Sequence, residues 1–319
     1  MLEMLLMVLG GLGLFLFAIN NLSDTLKELL GDKAKKWLGF FTKNVFTAIL
    51  TGIVITTILD SSSAVIIMTI VLVNAGALTF RQSMGIVMGA NIGTTFSSQL
   101  IALDIGQYSP IPIFLGLLFS LFSKSEKVSK TGKVVLYFGI LFFGLYTMER
   151  AVEPLKDDPA FLTWMEKLDN PLRGTAIGAL VTLVIQSSSA TVGMVITLAK
   201  KGLINLGGSI AVMIGAELGT CSDTLLATIR SDRQAVKTGV FHLLFNIISI
   251  AIGILIFPLF TGFIEQISGN ANIEQKVANA HMIFNTAGVL LFIPLVPVLE
   301  KLLNRIIPAK KQKAQLAVV

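Results

Sequence analysis

Two clusters of hydroxyls stand where hydroxyls are expensive. Asp60-Ser61-Ser62-Ser63-Ala64 and Gln186-Ser187-Ser188-Ser189-Ala190 each interrupt a run of apolar residues of the kind that crosses a bilayer. An unsatisfied polar group in hydrocarbon costs on the order of several kcal/mol. Such a cluster marks a half-helix end lining a cavity. Where a helix begins at the cluster, free backbone N–H groups and the positive dipole end favour an anion, and the serines add donors. The helix that ends at the same place offers carbonyl oxygens and the negative dipole end to a cation. One such tip can hold an anion and a small hard cation side by side. For a single serine the plain alternative is a hydrogen bond tying two membrane helices together. Two triplets at equivalent places argue against that reading.

The equivalence lies in the numbering. A shift of 126 residues lays Gly52 on Gly178, Thr56 on Thr182, Met68 on Met194 and Gly76 on Gly202. Without a gap it also lays Gly89-Ala90-Asn91-Ile92-Gly93-Thr94 on Gly215-Ala216-Glu217-Leu218-Gly219-Thr220. The chain is a duplicated unit. In this second motif, glycines four apart loosen a helix and bare its carbonyls, while Asn91, Thr94, Thr95, Glu217 and Thr220 add side-chain oxygens. That suits Na⁺. Close small-xxx-small helix packing fits the same glycines.

The elements that position these residues follow from composition. Of 319 residues, 54% are hydrophobic and only 14% charged, against about 25% charged in soluble domains. The sequence predicts an all-α integral membrane protein. The net charge of +6 is spread over loops, so nucleic-acid binding gains no support. Cys221 stands alone and excludes an intrachain disulfide.

Met4–Leu22 reads as a first span rather than a signal peptide, for no Lys or Arg precedes it. Ser23–Lys43 carries five lysines among its apolar residues and suits a helix lying in the interface. Asn44–Leu59 and Val65–Asn74 are two short arms around a polar tip, a re-entrant hairpin at about 44–76. Gly85–Leu103 is expected to break at Gly89–Thr95, and Ile111–Phe122 closes repeat 1, residues 1–133. Repeat 2, residues 134–260, follows the same plan. It has a span at Val134–Met148, a polar excursion at Glu149–Asp169 and a hairpin at about 174–200. A broken helix at Ile204–Ile229 and a span at Gly239–Phe260 complete it. Residues 261–319 are expected to form a loop, one extra C-terminal helix near Ala278–Leu299 and a cytoplasmic tail.

Three crossings per unit make the two units inverted. One face then gathers 18 of the 25 Lys and Arg residues and the other 7. The positive-inside rule puts the N-terminus outside and the C-terminus in the cytoplasm of a cell membrane protein. Inverted repeats with facing polar tips at mid-membrane are the parts of a secondary transporter.

The paired Q-S-S-S-A motifs, each followed by G-A-N-x-G-T, resemble the type II sodium–phosphate cotransporter family across nearly the whole chain. His242-Leu-Leu-Phe-Asn246 and His281-Met-Ile-Phe-Asn285 resemble that family's H-x-x-F-N elements. The resemblance implies Na⁺-coupled movement of inorganic phosphate within a lipid bilayer, with no cofactor beyond the coupling ion. It places phosphate at Ser62, Ser63, Ser188, Ser189 and Thr191. With the side-chain oxygens of the second motif added, Na⁺ is expected at Asp60, Ser61, Asn91, Thr94, Thr95, Gln186, Ser187, Glu217 and Thr220. Some members of the family are implicated in export.

Two residues depart from the pattern. Asp60 replaces a glutamine and Glu217 an asparagine, each a carboxyl in place of a neutral amide. Asp60 suits a cation ligand, with a helix N-cap as the plainer alternative. Glu217 suits a cation ligand, with a protonated carboxyl bonded to a neighbouring helix as the plainer alternative. His242 and His281 each face an Asn four residues on, as proton relays or as cross-links between helices. A proton-coupled or other oxyanion carrier, and a membrane phosphate sensor, are the competing functions. A hydrolase would need a base beside the serines, and neither His nor Lys lies near a tip in sequence. The oligomeric state, a homodimer included, is open.

Overall fold

The apolar runs all fold as helices. The computed structural model describes residues 2–103, 105–229 and 231–308, and no strand occurs among them. In order these are α1 (Leu2–Phe40), α2 (Val45–Leu59), α3 (Ser62–Asn74), α4 (Phe80–Ile101), α5 (Pro110–Phe122), α6 (Glu126–Ala151), α7 (Pro159–Glu166) and α8 (Pro171–Ile185). Then follow α9 (Ser188–Lys200), α10 (Leu206–Gly219), α11 (Cys221–Ala227), α12 (Arg233–Leu255), α13 (Phe257–Ser268), α14 (Ile273–Phe292) and α15 (Val296–Ile306). Five helical stretches are long and apolar enough to cross a membrane: Leu2–Phe40, Glu126–Asp157, Leu206–Ala227, Arg233–Leu255 and Ile273–Ile306. Large apolar side chains such as Leu6, Phe17, Phe143, Leu255 and Leu290 stay exposed along them, as a lipid-facing surface requires. The chain is an all-α, multi-pass membrane protein.

The duplication is visible helix by helix. α2, α3 and α4 begin at Val45, Ser62 and Phe80; α8, α9 and α10 begin 126 residues later, at Pro171, Ser188 and Leu206. The punctuation repeats with them. Asn44 caps α2 through Thr47, and Asn170 caps α8 through the N–H groups of Leu172 and Arg173. Thr79 and Asn205 cap α4 and α10. Gly76 (φ 71°) and Gly202 (φ 69°) turn the chain after the second arms, in a conformation that favours glycine.

Several expected boundaries move. α1 runs unbroken through Ser23–Phe40, so the lysine-bearing stretch continues the first span instead of forming a separate interfacial helix. No proline interrupts it, and its 39 residues would extend roughly 58 Å at ~1.5 Å each, well beyond ~30 Å of hydrocarbon. α4 is also continuous through Gly89–Thr95, which overturns the expected break. Glycine there serves close packing. A Cβ on Gly89 would lie 2.0 Å from the Ile49 carbonyl oxygen, and one on Gly215 would lie 2.0 Å from that of Thr175. Only the second unit is interrupted, at Thr220 between α10 and α11. The polar excursion contains α7, started by Asp158 and Pro159. The expected loop after Phe260 is helical through Ser268, because Pro258 at an N-terminal position restarts the helix as α13. The last helix begins earlier than expected, at Ile273 under an Asn272 cap. It is interrupted at Ile293–Leu295, where Pro294 intervenes. The expected tail, from 309 onward, lies outside the described residues.

Two buried apolar clusters hold the helices. One joins α1, α6, α9 and α10 through residues such as Phe15, Phe142, Ile196 and Met213. The other joins α2, α3, α4, α12 and α14, where Phe245 and Phe292 meet edge to face at 4.7 Å. The arms of both hairpins are thus bedded in apolar contacts.

Candidate functional site

The two tips share one backbone trace. α2 ends at Asp60 in the left-handed region (φ 51°, ψ 35°), and α8 ends at Gln186 in the same conformation (φ 58°, ψ 30°). Outside glycine this geometry costs about 1–2 kcal/mol. It reverses the chain within two residues, so that Ser61 and Ser187, both extended, cap α3 and α9. Their Oγ atoms accept from the Ala64 and Ala190 N–H groups at 3.2 Å. Asp60 is therefore the C-cap of the first arm; the N-cap is Ser61.

Both tips line a single polar cavity of about 150 Å³. Asp60, Ser61, Ser62, Ser63, Gln186, Ser187, Ser188 and Ser189 face it, and Thr220 joins them from the α10–α11 junction. Ser188 and Ser189 are buried, whereas the serines of the first tip are half-buried. The first turns of α3 and α9 leave N–H groups without intrahelical partners. These groups and the serine hydroxyls are the donors that the tips bring to the cavity. The carboxylate that the tips bring to it is Asp60, which accepts from the Ser97 hydroxyl of α4. Asp223 of α11 lies on the neighbouring helix, where its Oδ1 accepts from the Thr224 N–H at 2.7 Å.

Five expected site residues lie elsewhere. Thr191 is bonded to Thr182 Oγ1 at 2.7 Å and ties the arms of its hairpin together. Asn91, Thr94 and Thr95 direct their side chains to carbonyls of their own helix, at Val87, Ala90 and Ile92. Glu217 is bound from α14, its Oε1 meeting His281 Nε2 at 2.7 Å and Asn285 Nδ2 at 3.4 Å. His281 Nδ1 meets Ser98 Oγ of α4 at 2.6 Å, so this imidazole links three helices. His242 is held by Thr224 Oγ1 at 2.8 Å and by Asn246 at 3.1 Å. Both histidines are cross-links in a buried polar layer. Ser98 and Thr224, like Ser97 and Asp223, are equivalent at the offset of 126.

Sequence reading missed one whole wall of the cavity. Asn20, Ser23, Asp24 and Lys27 of α1 line it with Ile19. Lys27 Nζ pairs with Asp24 Oδ1 at 2.9 Å, so the absence of a Lys near the tips in sequence did not hold in space. No local signal marks these residues, since α1 lies far from either tip in the chain. Ser97 and Asp223 were findable: at the same offset, unit 1 carries its carboxylate on the tip and unit 2 carries it on the neighbouring helix. A larger recess of about 390 Å³, walled by Trp37, Phe41, Leu50, Val54 and Ile55, is apolar and offers an ion little.

Fold and site together define a multi-pass helical membrane protein with a polar cavity closed between two helix hairpins. The chain belongs to the Na⁺/Pi-cotransporter family, which it matches over residues 14–150 and 158–292. YqeW of Bacillus subtilis (strain 168), an uncharacterized protein, is 31% identical over 299 residues, 93% of this chain and 96% of its own length. YjbB of Escherichia coli (strain K12), provisionally named for inorganic phosphate export, is 24% identical over 306 residues. That match covers 95% of this chain and 56% of YjbB, so the chain spans little more than half of that relative. Sodium-dependent phosphate transport protein 2A of Rattus norvegicus is 30% identical over 108 residues, 32% of this chain and 17% of its own length. No solved structure matches.

Proposed function

We propose that the chain is a secondary transporter moving inorganic phosphate across the membrane, coupled to Na⁺, by alternating access around the cavity between the tips. The observation that carries this reading is the convergence of two hydroxyl-bearing helix N-termini, 126 residues apart, on one polar cavity. Phosphate is held by the N–H groups and hydroxyls at Ser62, Ser63, Ser188 and Ser189. Na⁺ is held by Asp60 and by carbonyl oxygens where α2 and α8 end, with the Ser61 and Ser187 hydroxyls nearby. Inverted repeats, with the N-terminus outside, let one unit rock against the other and open the site to each side in turn. The names of YjbB and of the rat protein both specify phosphate, and the rat protein's specifies sodium dependence. A hydrolytic role gains no support, because the one lysine at the cavity is ion-paired with Asp24 and is no base for a serine.

One observation favours a second reading, a proton in place of one Na⁺. Glu217 stands where the first unit has the neutral Asn91, and it is paired with His281 in the buried layer. Flux of ³²P-phosphate in proteoliposomes, with Na⁺ and pH varied independently, separates the two. A Na⁺ gradient is expected to drive flux at constant pH. Ser62→Ala and Ser188→Ala are each expected to weaken apparent phosphate affinity by about 10- to 150-fold, the loss of one hydrogen bond to a charged ligand. Flux driven by pH alone selects the proton. Phosphate binding without flux would make the protein a sensor and end the transport reading.

A further inference from the structure

The two tips are unequal in charge, and α1 faces both. Tip 1 carries the carboxylate of Asp60 into the cavity. Tip 2 presents Gln186 and three serines and contributes no carboxylate to the cavity lining. An oxyanion in the cavity is therefore repelled from the Asp60 side and needs a positive partner elsewhere. Among the residues lining the cavity, Lys27 is the one cation. It sits at the mouth with Asp24, their side chains 38% and 70% exposed.

A bare i,i+3 pair on a helix is commonplace and worth little. A neighbour on the same turn sets this one apart. Ser23 lines the cavity at 6% exposure, and its Oγ is buried without a hydrogen-bond partner. A buried hydroxyl left unpaired is costly, because it has given up water and gained no partner. A helix wall that only packed against the hairpins would have no use for it. Asn20, one turn before Asp24, adds an amide to the same face. Asn20, Ser23 and Lys27 recur at the spacing of one α1 face, so all three reach the same space.

We propose that α1 completes the oxyanion site of the transporter proposed above. Lys27 gives its ammonium to the bound phosphate in exchange for Asp24, and Ser23 donates its unpaired hydroxyl. The lining without ligand carries two carboxylates and one ammonium, formally −1. A phosphate dianion is then held only when Na⁺ has neutralised the Asp60 side and Lys27 supplies the rest. Asp24 acts as a tethered competitor that returns the lysine to the wall when phosphate leaves. Specificity follows: the site favours tetrahedral oxyanions that accept from several donors at once, because N–H groups, hydroxyls and an ammonium converge from three helices.

The test is ³²P-phosphate binding to the full chain in phosphatidylcholine nanodiscs at saturating Na⁺. Lys27→Gln is expected to weaken phosphate binding by about 10- to 150-fold, with Lys27→Arg recovering most of it. Asp24→Asn is expected to tighten binding, since the lysine loses its competitor. A merely structural Lys27 would shift the melting temperature and leave the phosphate titration alone. Lys27→Gln that binds phosphate like the parent, or an Asp24→Asn protein whose binding is unchanged, overturns the proposal while leaving the serine tips intact. If Lys27→Gln does not fold, Asp24→Asn and Lys27→Arg decide the question alone. A Lys27 effect that appears only when anionic lipid is added assigns the lysine to a lipid headgroup and likewise overturns it. A parent protein that binds no phosphate at all fails the transport reading itself.

Discussion

Asp60 and Gln186 hold a backbone conformation that side chains avoid, at the two places where the chain must turn between half-helices. Glycine would be cheaper in both. A carboxylate and an amide there exchange a small strain for a side chain at the tip, a trade characteristic of binding sites. The carboxylate at tip 1 accepts from Ser97, and its equivalent helix position in unit 2 is Asp223. Each unit thus has one carboxylate near a tip, placed differently. Asp60→Asn keeps the shape and removes the charge. It is expected to raise the Na⁺ concentration for half-maximal phosphate flux by about 10- to 150-fold, the loss of a charged ligand contact. In the proposed site protons compete with Na⁺ for this carboxylate, so lower pH is expected to raise the Na⁺ requirement of the parent and leave that of Asp60→Asn unmoved. Identical Na⁺ titrations for parent and variant at every pH would reduce Asp60 to a helix cap.

At the scale of elements, the glycines of α4 and α10 set how closely each broken hairpin lies on the helix beneath it. Gly89 and Gly215 bring their backbones against the carbonyls of Ile49 and Thr175, with no room for a methyl group. The contact is with backbone on both sides, so nothing flexible can yield. Gly89→Ala and Gly215→Ala are each expected to lower stability by about 1–3 kcal/mol, the cost of overpacking. Thermal unfolding in detergent reads it. Gly10→Ala and Gly13→Ala meet open space and serve as controls on α1. An unchanged melting temperature for Gly89→Ala would mean that α2 and α4 are held apart by something other than their backbones.

For the whole molecule, orientation decides which mouth of the cavity faces the cell interior. The count of basic residues predicts that the segment from Ser123 to Lys133 lies in the cytoplasm and the segment from Glu149 to Asp169 outside. Lys127→Cys and Asp157→Cys put a thiol at exposed positions in each. In intact cells an impermeant thiol reagent is expected to label Asp157→Cys and spare Lys127→Cys. The reverse pattern would invert the topology and with it the side on which Lys27 meets the solvent. Native Cys221 is 1% exposed beneath Asn246 and contributes little background.

The sequence alone determined the class, the duplication and the tips. Each of these is carried by local order: apolar run length against bilayer thickness, identical residues at one offset, and three hydroxyls where hydrocarbon forbids them. The caps at Asn44, Thr79, Asn170 and Asn205 are local chemistry of the same kind. Tertiary structure decided what faces what. Asn91, Thr94 and Thr95 look like ion ligands by residue type, yet α4 stays helical and its own carbonyls take their hydrogen bonds. Glu217 looked equivalent to Asn91, and a histidine 64 residues away claims its carboxyl oxygen. The α1 wall of Asn20, Ser23, Asp24 and Lys27 has no local mark, because its partners are the tips of two hairpins that meet it only after the helices pack. Hydropathy and spacing report a residue's own turn of helix. Which oxygen it meets across a cavity depends on how separate helices are set against one another, and that is written in packing.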